Sequence, residues 1–199
     1  MRSVNLHKLV AVAVLAALGF VLMNFAIPVI PAFPFLTLDL SDLTVLLAVL
    51  LFGLSAGVET ALVRSLLHFI LTGAGVVNLI GDTAAFFASV LFVLPVALAL
   101  RNGYNWRRAL GALLGGTVVL TIFMSILNYF VLMPMYMTAF GLNIHMSLAK
   151  YLLVGVVPFN LIKGVVLTVV FLVFAKVLAP WLAKQRGKAL DSKHVSKHA

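Results

Sequence analysis

The stretch Pro158-Phe159-Asn160-Leu161-Ile162-Lys163-Gly164 decides how this chain is read. It lies within an apolar run from about Tyr151 to Ala179, long enough to cross a bilayer as a helix. A protonated amine in the middle of such a span costs roughly 2.5 kcal/mol or more, so it is retained only where it faces a protein interior or a wet cavity and has partners there. Asn160 precedes Lys163 by one helical turn and shares its face. The pair predicts a polar site enclosed by membrane helices.

The surrounding composition agrees. Hydrophobic residues make up 64% of the 199 residues and charged residues 10%, with a mean hydropathy of +1.21. A soluble domain carries about 25% charged residues. Six apolar stretches can be drawn: about Lys8–Val29, Leu43–Phe52 with some extension, Ala56–Leu71, Leu79–Leu100, Ala109–Met137 and Tyr151–Ala179. Only Gly53-Leu54-Ser55-Ala56-Gly57 separates the second from the third, so a five-span count stays open. The expected fold is an all-α membrane protein with six transmembrane helices. Residues 1–180 form its single transmembrane domain and 181–199 a basic, frayed cytoplasmic tail.

Charge sets the orientation. With the N-terminus inside, the cytoplasmic segments hold eleven Lys and Arg residues, among them Arg2, Lys8, Arg101, Arg107, Arg108 and Lys176, while the outer loops hold only Lys150. This positive-inside bias places both termini in the cytoplasm. The net charge of +9 therefore flanks the membrane, where it meets anionic lipid heads, and does not predict nucleic-acid binding. The apolar run after Lys8 is longer than a signal-peptide core of about 7–15 residues, so it reads as a retained helix. The lack of cysteine excludes disulfides and thiol chemistry.

Helical rise gives the depth of the remaining polar residues. Asn128 lies roughly 14 Å below the outer end of span five, Asn160 at a similar depth in span six, and Lys163 about 4–5 Å deeper. Asp82 opens span four from the outer side, and Asp39 and Asp42 lie in the outer loop Pro28–Asp42, rich in proline and aromatics. Together they predict a cavity opening outward, lidded by the first loop.

Each residue also has a plainer reading. Asn128 can hydrogen-bond between helices, Asn160 can relieve the backbone around Pro158, and Asp82 can cap span four. Asp39 and Asp42 fit a solvated turn, and Lys163 fits a structural ion pair with an aspartate. Arg64 and His68, four apart on span three with Glu59 before them, read first as a structural polar network. The histidines show no metal-site spacing beyond a tail pair. Ala13 and Ala17 form a smooth helical face suited to close packing within or between proteins. No G-x-x-x-x-G-K-[ST] phosphate loop and no hydrolase motif is present, so uphill transport requires a partner ATPase or an ion couple.

Three segments resemble a known family: Leu36-Thr37-Leu38-Asp39-Leu40-Ser41-Asp42, Leu127-Asn128-Tyr129-Phe130-Val131-Leu132-Met133-Pro134-Met135-Tyr136, and the opening stretch. They are similar to the riboflavin-specific substrate-binding subunit (S component) of energy-coupling factor (ECF) transporters, over about Lys8 to Ala179. The resemblance implies six helices in the bacterial plasma membrane and a high-affinity site for one riboflavin near the outer face, with no catalytic activity and no resident cofactor. It also implies docking, through an alanine-rich face that Ala13 and Ala17 match, on a module of one transmembrane scaffold protein and two ATPases. Asp39, Asn128, Asn160 and Lys163 are then expected flavin contacts, with Leu38 and Tyr129 covering the ring and Asp39 or Asp82 balancing Lys163. Ala84-Ala85-Phe86 stands where the family has Ala-Asn-Phe, so one polar contact is either lost or shifted to Asn78 or Asp82; Ser41-Asp42-Leu43-Thr44 replaces Ser-Asp-x-Pro. The other ligand and mechanism classes left open are another vitamin, an ion-coupled transporter acting alone, and an intramembrane enzyme.

Overall fold

The structure, a computed structural model, describes residues 6–101 and 103–195, with side-chain surroundings defined for all of these except 140 and 179–195. Helix α1 covers Leu6–Met23. It stops at Met23 and not at the expected Val29, because the Asn24 side chain donates to the Phe20 carbonyl (2.8 Å) and Pro28 cannot continue a helix. The chain instead forms a short antiparallel pair, β1 (Ile27–Pro28) with β2 (Thr37–Leu38), Ile27 opposite Leu38.

Helix α2 (Ser41–Phe52) and α3 (Leu54–Thr72) meet at Gly53, whose φ of 86° suits glycine. At 12 residues α2 is about 18 Å long, short of the roughly 30 Å hydrocarbon core. This is why the sequence left the count between five and six: five helices reach membrane length and α2 is a shorter sixth. Its residues from Ser41 to Leu46 are all buried, so it serves as the inner post of the bundle.

Helix α4 follows (Val76–Leu100), and Asn105 caps α5 (Trp106–Leu127) by accepting from the backbone N–H groups of Arg107 and Arg108. A π turn (Asn128–Leu132) joins α5 to α6 (Met133–Phe140). A second π turn (Leu152–Val156) joins α7 (Leu148–Tyr151) to α8 (Val157–Val195). Both turns sit one turn ahead of a proline. A proline ring clashes with the carbonyl four residues earlier, here Phe130 for Pro134 and Val154 for Pro158, and widening to π geometry relieves that clash. The two π turns pack against each other in the outer half of the bundle. Helix α8 continues past Pro180, so the tail expected to begin at 181 starts as helix; residues 196–199 lie outside the described ones.

The inner core joins Val45, Leu46 and Val49 of α2 to Phe92, Val93 and Val96 of α4, Leu113 and Leu120 of α5, and Leu167 and Phe171 of α8. Glycines let the helices approach closely. A Cβ at Gly164 would run into Thr117, and one at Gly116 into the Phe92 backbone. This dry packing fills the inner half and leaves the outer half to the cavity.

Candidate binding site

The outer half encloses a cavity of about 730 Å³ between α3, α4, the α5–α6 segment, α8 and the first loop. Asp39, Asn78, Asp82, Asn128, Asn160 and Lys163 all border it. Leu38 and Tyr129 do not. Thr37 faces the cavity, and the strand alternation turns Leu38 away from it into a buried position. Tyr129 follows Asn128 directly, and adjacent helical positions do not share a face; its ring lies exposed, edge-on to Phe130 at 4.9 Å. The apolar walls come instead from Phe35, Met124, Tyr136, Tyr151 and Phe159, residues whose role the sequence did not reveal.

The first loop closes over one side. Phe33 is 3% exposed and meets Tyr151 edge-on at 5.2 Å, with Phe35 beside the same ring at 6.1 Å. Gly155 makes room for it, since a Cβ there would lie 2.9 Å from the Phe33 ring.

The two asparagines serve their own helices as well as the cavity. Asn128 donates to the Met124 carbonyl and Asn160 to the Val156 carbonyl, each at 2.8 Å, bonds back to the preceding turn of their own helices. Tyr151 donates to Asn128 Oδ1 at 3.3 Å. Asn160 thus bonds back to its own helix and also borders the cavity.

Lys163 pairs directly with Asp42, whose Oδ2 lies 2.8 Å from Nζ, and Asp39 adds a second attraction at longer range. Asp42 is not a solvated loop residue. It sits in the first turn of α2 at 4% exposure. Its other oxygen takes Arg64 Nη1 at 3.1 Å and the Ser89 hydroxyl. Arg64, 1% exposed, donates further to Ser41 Oγ and Ser89 Oγ, both at 2.7 Å. One carboxylate thus joins two cations and ties α2 to α3, α4 and α8. The signal was present in the sequence, since two basic residues inside spans demand a carboxylate within reach. Asp39 meanwhile accepts from the Ser41 N–H (2.7 Å), which fixes the entry into α2.

On the opposite wall, His68 Nδ1 lies 2.7 Å from Asp82 Oδ1 and links α3 to α4. Asp82 does not cap its helix. The N-cap is Gly75, and Asp82 stands more than a turn inside α4. Asn78 closes the α3–α4 turn by donating to the Gly73 carbonyl at 2.8 Å. Far from the cavity, Ala13 and Ala17 are exposed on α1, while Val12, Ala16 and Gly19 form its buried face. Amide and ammonium donors, carboxylate acceptors and aromatic walls in one enclosure suit a planar, polar heteroaromatic molecule.

Comparison with known proteins gives the same picture. The family model for the ECF transporter substrate-specific component matches residues 7–175. The riboflavin transporter FmnP of Bacillus subtilis (strain 168) is 38% identical over 189 residues, covering 92% of this chain and 97% of that protein. The riboflavin transporter RibU of Staphylococcus aureus (strain TCH60) is likewise 38% identical over 189 residues, with the same coverage. A solved structure of the S component of a bacterial ECF transporter superposes with a TM-score of 0.74 at 35% identity, over 88% of this chain and 97% of that one. The chain belongs to the substrate-specific components of ECF transporters, integral membrane proteins that select the molecule to be carried.

Proposed function

We propose that this chain is the riboflavin-binding subunit of an ECF-type vitamin importer. It captures riboflavin with high affinity from the outer side of the plasma membrane and releases it inward when docked on a module of one transmembrane scaffold protein and two ATPases. The observation that carries this reading is the meeting of Asn128, Asn160 and Lys163 on one cavity among Phe35, Tyr151 and Phe159. The pyrimidine edge of a flavin alternates carbonyl acceptors with an N–H donor, and carboxamides with an ammonium complement that pattern. The apolar body of the ring occupies the aromatic walls. A cavity of about 730 Å³ is within the usual range of roughly 300–1,000 Å³ for small-molecule sites.

The pairing of Lys163 with Asp42 fits an uncharged ligand. The ammonium keeps N–H groups to donate, and although Asp42 is shared with Arg64, Asp39 on the cavity wall also attracts it, so the site does not need an anionic ligand to fill it. With no phosphate-loop motif in the sequence, ATP hydrolysis falls to the partner subunits, and the exposed Ala13–Ala17 face of α1 is their contact. Titration of the purified protein with riboflavin, followed by quenching of flavin fluorescence, tests the proposal. Saturable one-to-one quenching is expected. A protein that purifies colourless and leaves micromolar riboflavin unquenched overturns it.

A further inference from the structure

Asp82 is buried in the cavity wall at 6% exposure, and only one of its oxygens is engaged. Oδ1 lies 2.7 Å from His68 Nδ1, whereas Oδ2 is buried and has no hydrogen-bond partner among the described residues. A carboxylate oxygen left bare in this way demands a donor. Because Asp82 borders the cavity, the ligand is placed to supply one.

The contact with His68 constrains this group. Nδ1 lies 2.7 Å from Oδ1, close enough to pair the two side chains, although it is not aligned as a hydrogen bond and Nδ1 has no hydrogen-bond partner among the described residues. The same contact pins the carboxylate between α3 and α4 and leaves Oδ2 as a pure acceptor. Asn128, Asn160 and Lys163, which offer donors, stand on the α5 and α8 side of the cavity. Asn78 on the Asp82 side already donates to the Gly73 carbonyl and Asp39 already accepts from the Ser41 N–H, so Asp82 Oδ2 is the bare carboxylate acceptor on the α3–α4 wall. The edge of a flavin ring presents mostly acceptors, which belong to the amide and ammonium wall. The polyhydroxylated tail of riboflavin is the part rich in donors.

We infer that Asp82 is a specificity-determining residue that accepts hydroxyl protons from the ligand's polyol tail, and that His68 is the positioning residue that holds it. The inference deepens the flavin reading and rests on it. It makes the α3–α4 wall the part of the site that distinguishes riboflavin from flavins without a hydroxylated chain. Tyr136, whose hydroxyl lies near Gly81, borders the same end of the cavity.

The experiment compares two ligands on each protein, riboflavin and lumiflavin, which keeps the ring system but replaces the tail with a methyl group. Affinities are read from fluorescence quenching, so a reduced active fraction in any variant leaves the ratio intact. Asp82→Asn and Asp82→Ala are each expected to lower riboflavin affinity at least tenfold more than lumiflavin affinity. His68→Leu is expected to show the same selective loss. In His68→Gln, which retains an amide donor toward Asp82, the ratio returns to within threefold of the unaltered protein. If the Asp82 variants weaken both flavins by the same factor, the inference is overturned while the proposed function stands. Equal selectivity losses in His68→Leu and His68→Gln remove the positioning role of His68. Failure of the unaltered protein to bind either flavin overturns the function itself.

Discussion

Two aspartates in this molecule are buried almost equally, Asp42 at 4% and Asp82 at 6% exposure, yet their surroundings differ in kind. Both oxygens of Asp42 are engaged, one by Lys163 and the other by Arg64 and Ser89. Asp82 has His68 on one oxygen and nothing on the other among the described residues. A buried charge is costly unless paired and hydrogen-bonded. The fully engaged carboxylate therefore holds the fold, and the half-engaged one is open to a ligand. Burial alone does not separate the two roles; the count of satisfied lone pairs does.

The sharpest way to break this contrast is to remove Arg64. Arg64→Met strips Asp42 of one cation and leaves Ser41 and Ser89 without their guanidinium donor. Breaking a buried pair in this manner costs about 3–5 kcal/mol, so thermal unfolding in detergent should show the largest loss of any variant considered. A change below about 1 kcal/mol would show that the web around Asp42 is not structural. Asp42→Asn compared with Asp82→Asn comes next. The first leaves two cations facing a neutral amide and is expected to cost about 3 kcal/mol, the second no more than about 1 kcal/mol, the size of one ordinary hydrogen bond.

Lys163→Met sharpens the comparison from the ligand's side. Its side chain is 18% exposed, so it stands at the margin between the web and the cavity. Asp42 keeps Arg64 after this change, so stability falls less than in Arg64→Met. A hydrogen bond from a charged donor contributes about 1.5–3 kcal/mol, or roughly 10- to 150-fold in riboflavin affinity. Full affinity in Lys163→Met would remove this residue from the site.

How much of this was legible in the sequence follows from the physics of each residue. Polar groups inside apolar runs stand out one at a time, so Asn128, Asn160 and Lys163 could be named, and helical rise gave their common depth. Pairing across helices is different, because it depends on how each helix is rotated about its axis. The sequence pointed to Asp39 or Asp82 as the partner of Lys163, whereas the first turn of α2 swings Asp42 inward to make the direct pair. The link between His68 and Asp82 was hidden for the same reason. Tyr129 shows the reverse problem. Its motif suggested a ring cover, but its position beside Asn128 turns it to the outside. The π turns were foreshadowed by Pro134 and Pro158, although the sequence suggested only irregularity there.

The smallest effect on the folded subunit is expected at the exposed face of α1. Ala13 and Ala17 are exposed on α1, and the opposite face of that helix packs inward through Val12, Ala16 and Gly19. Gly19 lies so close to the Arg64 stem that a Cβ there would sit 2.9 Å from Arg64 Cδ. The inner face of α1 therefore packs beside the Asp42 web, while Ala13 and Ala17 on its outer face are exposed among the described residues. Exposed substitutions away from special features usually change stability by less than about 0.5 kcal/mol. The double variant Ala13→Trp with Ala17→Trp should accordingly unfold at nearly the same temperature and quench riboflavin with unchanged affinity. In proteoliposomes with the ATPase module it should lose most ATP-dependent uptake, because close helix approach needs small side chains. Uptake at the unaltered rate would move the docking contact elsewhere, and a matching loss of riboflavin binding would mean that this face is not independent of the cavity.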